Sequence, residues 1–372
     1  MARAISFFKH ESVLTIAWLL ALGSMLLVPP DRTYLDYVDF HTLGLLFSLM
    51  AVMAGFQQLG LFRRLGEALL SRTATSRQLE AVLILLPFFS SMIVTNDVAL
   101  ITFVPFALEV LLLARQEDKV IPVVVMQTIA ANLGSMTTPI GNPQNLFLYS
   151  HYHLSLSAFL SSMLPLSLGA LGMLGVFLVV QRSTRLSTQW QDSGSTPTLD
   201  KRRILLYLLL FTVCLCGVAK WLPVWLLCLV VLAAVLIWDQ RVLAQVDYCL
   251  LLTFVGFFLF VGNLGRLPVL STAFARLLEQ HELICSVLIS QIISNVPAAL
   301  LLSGFTENAQ ALLVGVNLGG LGTMIASMAS LISYKYLARS HPELKGRYFL
   351  GFTLSNLAFL FLLLALYQVT GG

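Results

Sequence analysis

The chain has 372 residues, of which 58% are hydrophobic and 11% are charged, and its formal net charge is +4. Soluble domains usually carry about 25% charged residues, so this composition excludes an ordinary soluble domain. The small positive charge lies mainly in loops, a pattern typical of membrane topology rather than of nucleic-acid binding. Apolar runs of about 20 residues, long enough to cross a bilayer, recur along the sequence. We therefore predict an all-α polytopic membrane protein.

The hydrophobic runs predict nine crossings. In chain order these are 12–29, 42–58, 120–149, 155–181, 203–219, 221–238, 246–264, 308–334 and 347–369. The first run has no small-residue cleavage site after it, so we interpret it as a retained helix rather than a signal peptide.

Two further segments, 78–115 and 270–305, have apolar arms on either side of a polar tip. The tips are the "TND" of 95–97 and the "SNVP" of 294–297. An arm such as 80–93 reaches only about 21 Å as a helix, which is short of the roughly 30 Å hydrocarbon core. We expect both segments to be re-entrant hairpins whose tips meet near the midplane of the membrane.

The basic residues predict which loops face the cytoplasm. Lys and Arg cluster at 63–77, 115–119, 182–203 and 335–347. These clusters fall on one side of the membrane if each hairpin returns to its side of entry, and Lys- and Arg-rich loops stay in the cytoplasm. We therefore expect a protein of the cytoplasmic (inner) membrane with its N-terminus in the cytoplasm and its C-terminus outside.

A repeat spans a polar linker at 182–202. Residues 132–146 read NLGSMTTPIGNPQNL and residues 317–331 read NLGGLGTMIASMASL, and the two agree without gaps at six positions. The helix at 203–219 has no counterpart before the first repeat. This additional crossing would give the second half the opposite orientation in the membrane. We predict two inverted repeats, as in many secondary transporters. The first is 1–181, with hairpin 78–115 and broken helix 120–149; the second is 203–372, with hairpin 270–305 and broken helix 308–334.

Asp97 is the single ionisable residue at either hairpin tip. A carboxylate at the centre of a membrane helix costs about 2.5–3.5 kcal/mol on insertion scales, so it is functional by default. An ionised Asp97 would repel an anionic substrate unless it binds a proton or a cation such as Na⁺, and cation coupling is therefore expected. The alternative is that Asp97 caps the N-terminus of the second hairpin arm.

The motifs TNDVALITFVPF, SNVPAALL and TTPIGNPQNLFLY resemble those of the ion transporter superfamily. This superfamily includes divalent-anion/sodium symporters, arsenite permeases and NhaD-type sodium/proton antiporters, and the chain most resembles its small anion permeases of the YbiR type. The resemblance implies an elevator mechanism. A transport domain with two hairpins and two broken helices would slide against the scaffold of a homodimer.

The resemblance also implies two cation sites and one substrate site. The first cation site would use Ser91, Thr95, Asn96 and the backbone near Gly141, and the charge argument above adds Asp97 to it. The second would use Ser290, Asn295 and the backbone near Ala326. The substrate would contact Asn96, Thr138, Asn142, Asn295 and Thr323.

The tips depart from the Ser-Asn-Thr of the dicarboxylate symporters, because Asp97 and Val296 stand at their third positions. The leading hypothesis is therefore a secondary active transporter of a small inorganic or organic anion, coupled to Na⁺ or H⁺ and needing no other cofactor. The alternative is a sodium/proton antiporter with Asp97 as the exchanging carboxylate. The paired hairpins disfavour a passive channel. An enzyme is disfavoured because the core has no HExxH, paired aspartates or serine/histidine arrangement.

Overall fold

The computed structural model describes residues 11–186 and 200–370, and this part of the chain is built from helices. The helices before the linker are α1 (Ser12–Met25), α2 (Tyr34–Tyr37), α3 (Phe40–Gln58), α4 (Leu61–Leu70), α5 (Ser76–Ser90), α6 (Asn96–Leu113), α7 (Val120–Ser135), α8 (Pro143–His151) and α9 (Leu156–Val180). Those after it are α10 (Lys201–Val218), α11 (Val224–Trp238), α12 (Tyr248–Gly265), α13 (Pro268–Leu278), α14 (Glu282–Ile293), α15 (Asn295–Ser303), α16 (Ala309–Leu318), α17 (Met328–Ser340) and α18 (Lys345–Val369). Most of the predicted linker, 187–199, lies outside the described residues, as do both ends of the chain.

Five segments of the described chain are long and apolar enough to cross a bilayer: α3, α6, α9, α12 and the run that ends with α18. A polytopic, helical membrane protein is thereby confirmed. The expectation that hairpin arms are too short to cross holds for α5 but not for α6. With 15 residues α5 reaches about 22 Å, whereas α6 has 18 residues, reaches about 27 Å and is long and apolar enough for a membrane-spanning helix.

The first hairpin is α5 and α6, joined by a turn at 91–95. Helix α5 begins with a capping box, in which the Thr75 side chain and the Gln78 side chain each accept the other residue's backbone N–H. Both arms pack against α7. The tip of the hairpin therefore lies beside the end of α7.

The second hairpin is shorter than the predicted range 270–305. Gln280 adopts a left-handed conformation with φ of 63°, which ends one helix and allows another to begin at Glu282. Residues 268–278 are therefore a separate helix, α13, and the hairpin consists of α14 and α15. Its tip is the single residue Ser294, whose φ of 76° is also left-handed.

Both predicted broken helices are interrupted. Range 120–149 contains α7 and α8, separated at 136–142, and range 308–334 contains α16 and the start of α17, separated at 319–327. At the first break Asn142 caps α8, because its side chain accepts the backbone N–H of Asn145 at 2.9 Å, and Pro143 occupies the first helical position. At the second break Gly322 has a φ of 109°, a conformation that favours glycine.

The first broken helix lies in the middle of the bundle. Residues 123–137 and 141–150 are all buried, and a helix that is buried on every side belongs to the core. Large apolar side chains are instead exposed on the outer helices, for example Leu208 on α10, Trp225 on α11 and Leu354 on α18. Most neutral polar residues of the first break are therefore enclosed by protein, whereas Thr323 of the second break is exposed. The apolar exterior suits lipid.

Candidate functional site

Each hairpin tip is hydrogen-bonded to the break of the helix that follows it. The backbone N–H of Asn96 donates to the carbonyl of Gly141 at 3.3 Å. The backbone N–H of Asn295 donates to the carbonyl of Ala326 at 2.9 Å. Gly141 and Ala326 are matched residues in the gapless alignment of the two breaks. The structure therefore brings the first asparagine of each helical arm to the backbone position that the sequence predicted for it.

At each break, one threonine hydroxyl is hydrogen-bonded to the corresponding hairpin. The hydroxyl of Thr138 donates to the carbonyl of Met92, and the hydroxyl of Thr323 donates to the carbonyl of Gln291 at 3.2 Å. Thr138 and Thr323 are matched in the alignment, and their acceptors both lie four residues before a tip asparagine. These hydroxyls retain lone pairs that can accept a hydrogen bond, but each hydrogen is already used within the protein.

Ser91 and Ser290 are fully buried at the points where the hairpins touch the broken helices. Their hydroxyls donate to Phe88 and Ser286 carbonyls, at 2.9 and 2.7 Å. A Cβ built on Gly134 would lie 2.6 Å from the Ser91 Oγ, and one built on Gly319 would lie 2.8 Å from the Ser290 Oγ. Glycine is therefore required at both crossings, and the two serine hydroxyls face the broken helices at close range.

The two breaks also contact each other. The Asn142 Nδ2 donates to the Asn317 Oδ1 at 3.2 Å, and the Ser327 Oγ donates to the Asn132 Oδ1 at 3.1 Å. The Asn96 Nδ2 donates to the same Asn132 oxygen at 2.9 Å. All these side chains are buried. Two clusters of buried amides and hydroxyls therefore join the halves of the protein, Asn142 with Asn317 and Asn96 with Asn132 and Ser327.

Sequence reasoning assigned no role to three residues of this region: Asn132, Asn317 and Gln291. The signal for the two asparagines was present, because they open the repeated NLG motif. Gln291 occupies the second break, where its Nε2 donates to the carbonyls of Gly319 and Leu321, both at 2.8 Å. Its Oε1 accepts the backbone N–H of Thr323 at 2.8 Å. A glutamine side chain thus takes up carbonyls of the second break that a cation could otherwise use.

Thr95 and Asp97 line a cavity of about 400 Å³ beside the first tip. Asn142 lines it too, and so do two more carboxylates, Glu11 and Asp247. Among the described residues around this cavity there is no Lys or Arg. Most of the lining is apolar, and its polar part consists of neutral groups and carboxylates.

Asp97 does not cap α6, so that alternative is wrong. The N-cap position is Thr95, and no side chain accepts a capping hydrogen bond there. Asp97 is the second residue of the helix, and its backbone N–H donates to the Asn96 Oδ1 at 3.0 Å. Its carboxylate makes no hydrogen bond or ion pair within residues 11–186 and 200–370, which leaves it available to a proton or cation.

Helices interrupted in the core, polar hairpin tips and an apolar exterior are features of a polytopic membrane transporter. The comparison with protein families gives the particular group. The model described as "CitMHS: Citrate transporter" matches residues 5–313. The chain therefore belongs to this citrate transporter family.

Individual relatives agree with this placement. The chain is 32% identical to "Inner membrane protein YbiR" of Escherichia coli over 321 residues, which cover 85% of each chain. It is 31% identical to "Uncharacterized transporter MJ0456" of Methanocaldococcus jannaschii over 300 residues, 80% of this chain and 81% of the relative. It is 33% identical to "Silicon efflux transporter LSI3" of Oryza sativa over 156 residues, 41% of this chain and 32% of the relative. The resemblance inferred from the motifs is confirmed, and the chain is a transporter rather than an enzyme.

Proposed function

We propose that this protein is a secondary active transporter of a small inorganic or organic anion across the cytoplasmic membrane, coupled to Na⁺ or H⁺. The observation that carries the proposal is the matched pair of hydrogen bonds from Asn96 to Gly141 and from Asn295 to Ala326. Each places the N-terminus of a helical arm at a helix break inside the protein. Such N-termini present backbone N–H groups and positive dipole ends, which attract anions.

The proposal includes two inverted repeats and an elevator motion. Its support is that contacts recur in matched positions: tip to break, threonine to hairpin carbonyl, and glycine to serine. Together the hairpins and broken helices would form the moving domain, and the remaining helices would form the scaffold of a homodimer. Alternating access then needs only the movement of one prebuilt unit past another.

The substrate site would be made of neutral groups. Range 121–181 contains no Asp, Glu, Lys or Arg, and neither do ranges 283–306 and 308–334. An anion between the tips would therefore be held by helix ends and by the side chains of Asn96, Thr138, Asn142, Asn295 and Thr323. The two threonine hydrogens are used within the protein, and both N–H groups of Asn142 donate to Ser135 and Asn317. The amides of Asn96 and Asn295 are therefore the better donors.

Coupling would take place mainly at the first site. Ser91, Thr95, Asp97 and the Gly141 carbonyl would bind the cation there. At the second site, Ser290 and the Ala326 carbonyl remain near Asn295, but the Gln291 amide occupies the neighbouring carbonyls of Gly319 and Leu321. We therefore propose a single coupling cation, at the site that contains the carboxylate.

The direct test combines ligand binding and uptake. The thermal stability of the purified protein is measured against a panel of anions, with and without Na⁺, at two pH values, because a ligand that binds only the folded state raises stability. Uptake of an anion that stabilises the protein is then measured in proteoliposomes. Asn96→Ala and Asn295→Ala should abolish uptake while the protein still folds, and Ser161→Ala, an exposed position on α9, should not. Normal uptake by both tip variants would contradict the proposal.

A sodium/proton antiporter is the second candidate, and the acidic cavity favours it. Asp97, Glu11 and Asp247 share that cavity without a basic residue among its described lining, and such a cavity attracts cations and repels anions. In that case Asp97→Asn should abolish Na⁺-driven proton flux in proteoliposomes containing a pH-sensitive dye. The wild-type flux should be the same whichever anion is present. A flux that requires one particular anion would exclude this candidate.

A further inference from the structure

The side chain of Asn132 lies between the contacts of the two hairpin tips. Its Oδ1 accepts a hydrogen bond directly from Asn96, the first tip asparagine. It also accepts one from Ser327, which follows Ala326, the residue whose carbonyl is bonded to the second tip asparagine, Asn295. Only 5% of Asn132 is exposed. This side chain is therefore adjacent to the region where the proposed substrate would lie.

The Asn132 Nδ2 has two N–H groups, and neither has an acceptor within residues 11–186 and 200–370. Buried amide groups are nearly always hydrogen-bonded, because an unsatisfied buried donor loses its interaction with water without compensation. The oxygen of the same side chain accepts two hydrogen bonds. Asn132 is thus fully engaged as an acceptor and unused as a donor.

The orientation of this amide is determined by its neighbours. The backbone N–H of Asp97 donates to the Asn96 Oδ1 at 3.0 Å, so the Asn96 Nδ2 must point to Asn132. If the Asn132 amide were turned over, its Nδ2 would face the Asn96 Nδ2, and two donors would meet. The first turn of α6 therefore fixes Asn132 with its oxygen toward the protein network and its N–H groups away from it.

The matched residue of the second broken helix, Asn317 in α16, has no such free donors. The Asn317 Nδ2 donates to the Asn145 Oδ1 at 2.6 Å and to the Leu313 carbonyl at 2.8 Å, and its Oδ1 accepts from Asn142. Asn317 thus has a structural role in which both N–H groups and the oxygen of its amide are hydrogen-bonded within the protein. Asn132 has the same place in the repeat, but its donors are left over.

We propose that Asn132 is a substrate-binding residue whose Nδ2 donates to an oxygen atom of the transported anion. This inference rests on the proposed function and adds a chemical class to it: the anion is an oxyanion or a carboxylate, since the amide must meet a hydrogen-bond acceptor at close range. Two N–H groups on one nitrogen suit an anion with more than one oxygen. The donors of Asn132 would complete the neutral site formed by the tips.

The test measures the shift in thermal midpoint that an anion causes, in the purified full-length protein, with citrate, succinate, sulfate, phosphate and chloride as probes. Asn132→Asp keeps the acceptor oxygens for Asn96 and Ser327 but removes both donors. Its apparent affinity for the stabilising oxyanion should fall on the order of 10- to 100-fold, the effect of losing a hydrogen bond to a charged group. Asn132→Ser, which adds no charge, is measured beside it, because the new carboxylate of Asn132→Asp would itself repel an anion.

The matched control is Asn356→Ala on α18. Asn356 is also a buried amide, and its Nδ2 donates within its own helix, to the Phe352 carbonyl at 2.9 Å. Its substitution should lower the midpoint without anion but leave the anion affinity unchanged. The same pattern in both folded Asn132 variants would show that Asn132 is merely structural, and it would overturn the inference while leaving the proposed function intact.

The wild-type protein separates the remaining outcomes. Stabilisation by chloride alone would overturn the oxyanion inference but would support anion transport. Stabilisation by none of the five anions would contradict both. An oxyanion response that is lost in Asn132→Asp and retained in Asn356→Ala is the expected result.

Discussion

The Asn142 amide lies 3.2 Å from the Oδ1 of Asn317, although the two residues are 175 positions apart in the chain. The hydroxyl of Ser327 makes the corresponding contact with Asn132 at 3.1 Å. Asn132 is matched with Asn317 and Asn142 with Ser327, so the second contact repeats the first with the halves exchanged. Two elements related by a two-fold axis make each of their mutual contacts twice, once from each side. This reciprocity relates the repeat in the sequence to the packing of the two breaks.

Asn317 is expected to be important for stability, since its amide makes hydrogen bonds through every donor and acceptor it has. Asn317→Ala leaves the buried Asn145 Oδ1 without the Asn317 donor and leaves the Asn142 Nδ2 with only its bond to the Ser135 hydroxyl. Each unsatisfied buried group costs about 1–3 kcal/mol. The thermal midpoint in detergent should therefore fall clearly. Thr212→Ala, which removes an exposed hydroxyl bonded within its own helix, should leave it within the error of the measurement, and an equal effect of the two substitutions would refute the explanation.

Gly134 should not tolerate even a methyl group. A Cβ there would lie 2.0 Å from the Phe88 carbonyl oxygen and 2.6 Å from the Ser91 Oγ, so α5 would have to move away from α7. Overpacking of this kind typically costs about 1–3 kcal/mol, and the displaced Ser91 should also weaken cation binding. Gly134→Ala should lower the thermal midpoint and the apparent Na⁺ affinity.

Gly172 on α9 is the matched control, because nothing lies within 4 Å of the Cβ that alanine would add. Gly172→Ala should be neutral or should stabilise the helix by about 0.5–1 kcal/mol. If both glycines tolerate alanine equally well, the close crossing of α5 and α7 does not exist in the protein.

The elements that the sequence predicted well are those with a local cause. Hydrophobic runs located α3, α9, α12 and α18, which supply four of the five described segments long enough to cross, whereas α6 had been assigned to a hairpin. Proline, glycine and asparagine near 139–143 located the first break. The contact of Asn96 with Gly141 was expected from the resemblance of the motifs. The start of α14 was missed because the chain turns at the left-handed residue Gln280, in the polar stretch EQHE at 279–282, where no proline or glycine marks the turn.

The hydrogen-bond partners within the site could not be predicted in the same way. Gln291 bonds to carbonyls 28 and 30 residues away, and its role depends on how closely α14 approaches the second break. The donors of Asn132 are free because the Asp97 backbone N–H fixes the orientation of the Asn96 amide, and Asn96 in turn fixes that of the Asn132 amide. Neither property is present in the local sequence, since both arise from tertiary packing.

Glu80 and Lys119 form an ion pair, and removal of only one partner should destabilise the protein. The Lys119 Nζ lies 3.4 Å from the Glu80 Oε1, Glu80 is 1% exposed, and the pair joins the start of α5 to the start of α7. Removal of one partner from a buried pair costs about 3–5 kcal/mol, because the other charge is left uncompensated. Lys119→Met should therefore lower the thermal midpoint strongly.

The double variant Glu80→Met/Lys119→Met should recover most of that loss, since no unpaired charge remains. Lys335→Met, at an exposed position on α17, is the control and should have little effect. A double variant as unstable as Lys119→Met alone would mean that the packing of the lysine chain, rather than its charge, is what matters.

The ion pair of Asp31 and Arg266 should stabilise the protein at neutral pH and lose this effect at acidic pH. The Arg266 Nη1 lies 2.7 Å from the Asp31 Oδ2, and this contact ties the loop before α2 to the end of α12. The Thr33 hydroxyl and then Arg266 lower the pKa of Asp31 below its ordinary value. A carboxyl whose pKa is lower in the folded state stabilises the protein above its unfolded-state pKa of about 3.9. That stabilisation is lost as the pH falls through the lowered pKa of the folded state. The midpoint difference between wild type and Asp31→Asn should therefore be present at pH 7 and shrink below about pH 4. The double variant Asp31→Asn/Arg266→Leu, compared with Arg266→Leu alone, should show a smaller difference at pH 7, and an undiminished difference would assign the effect to Thr33 rather than to the ion pair.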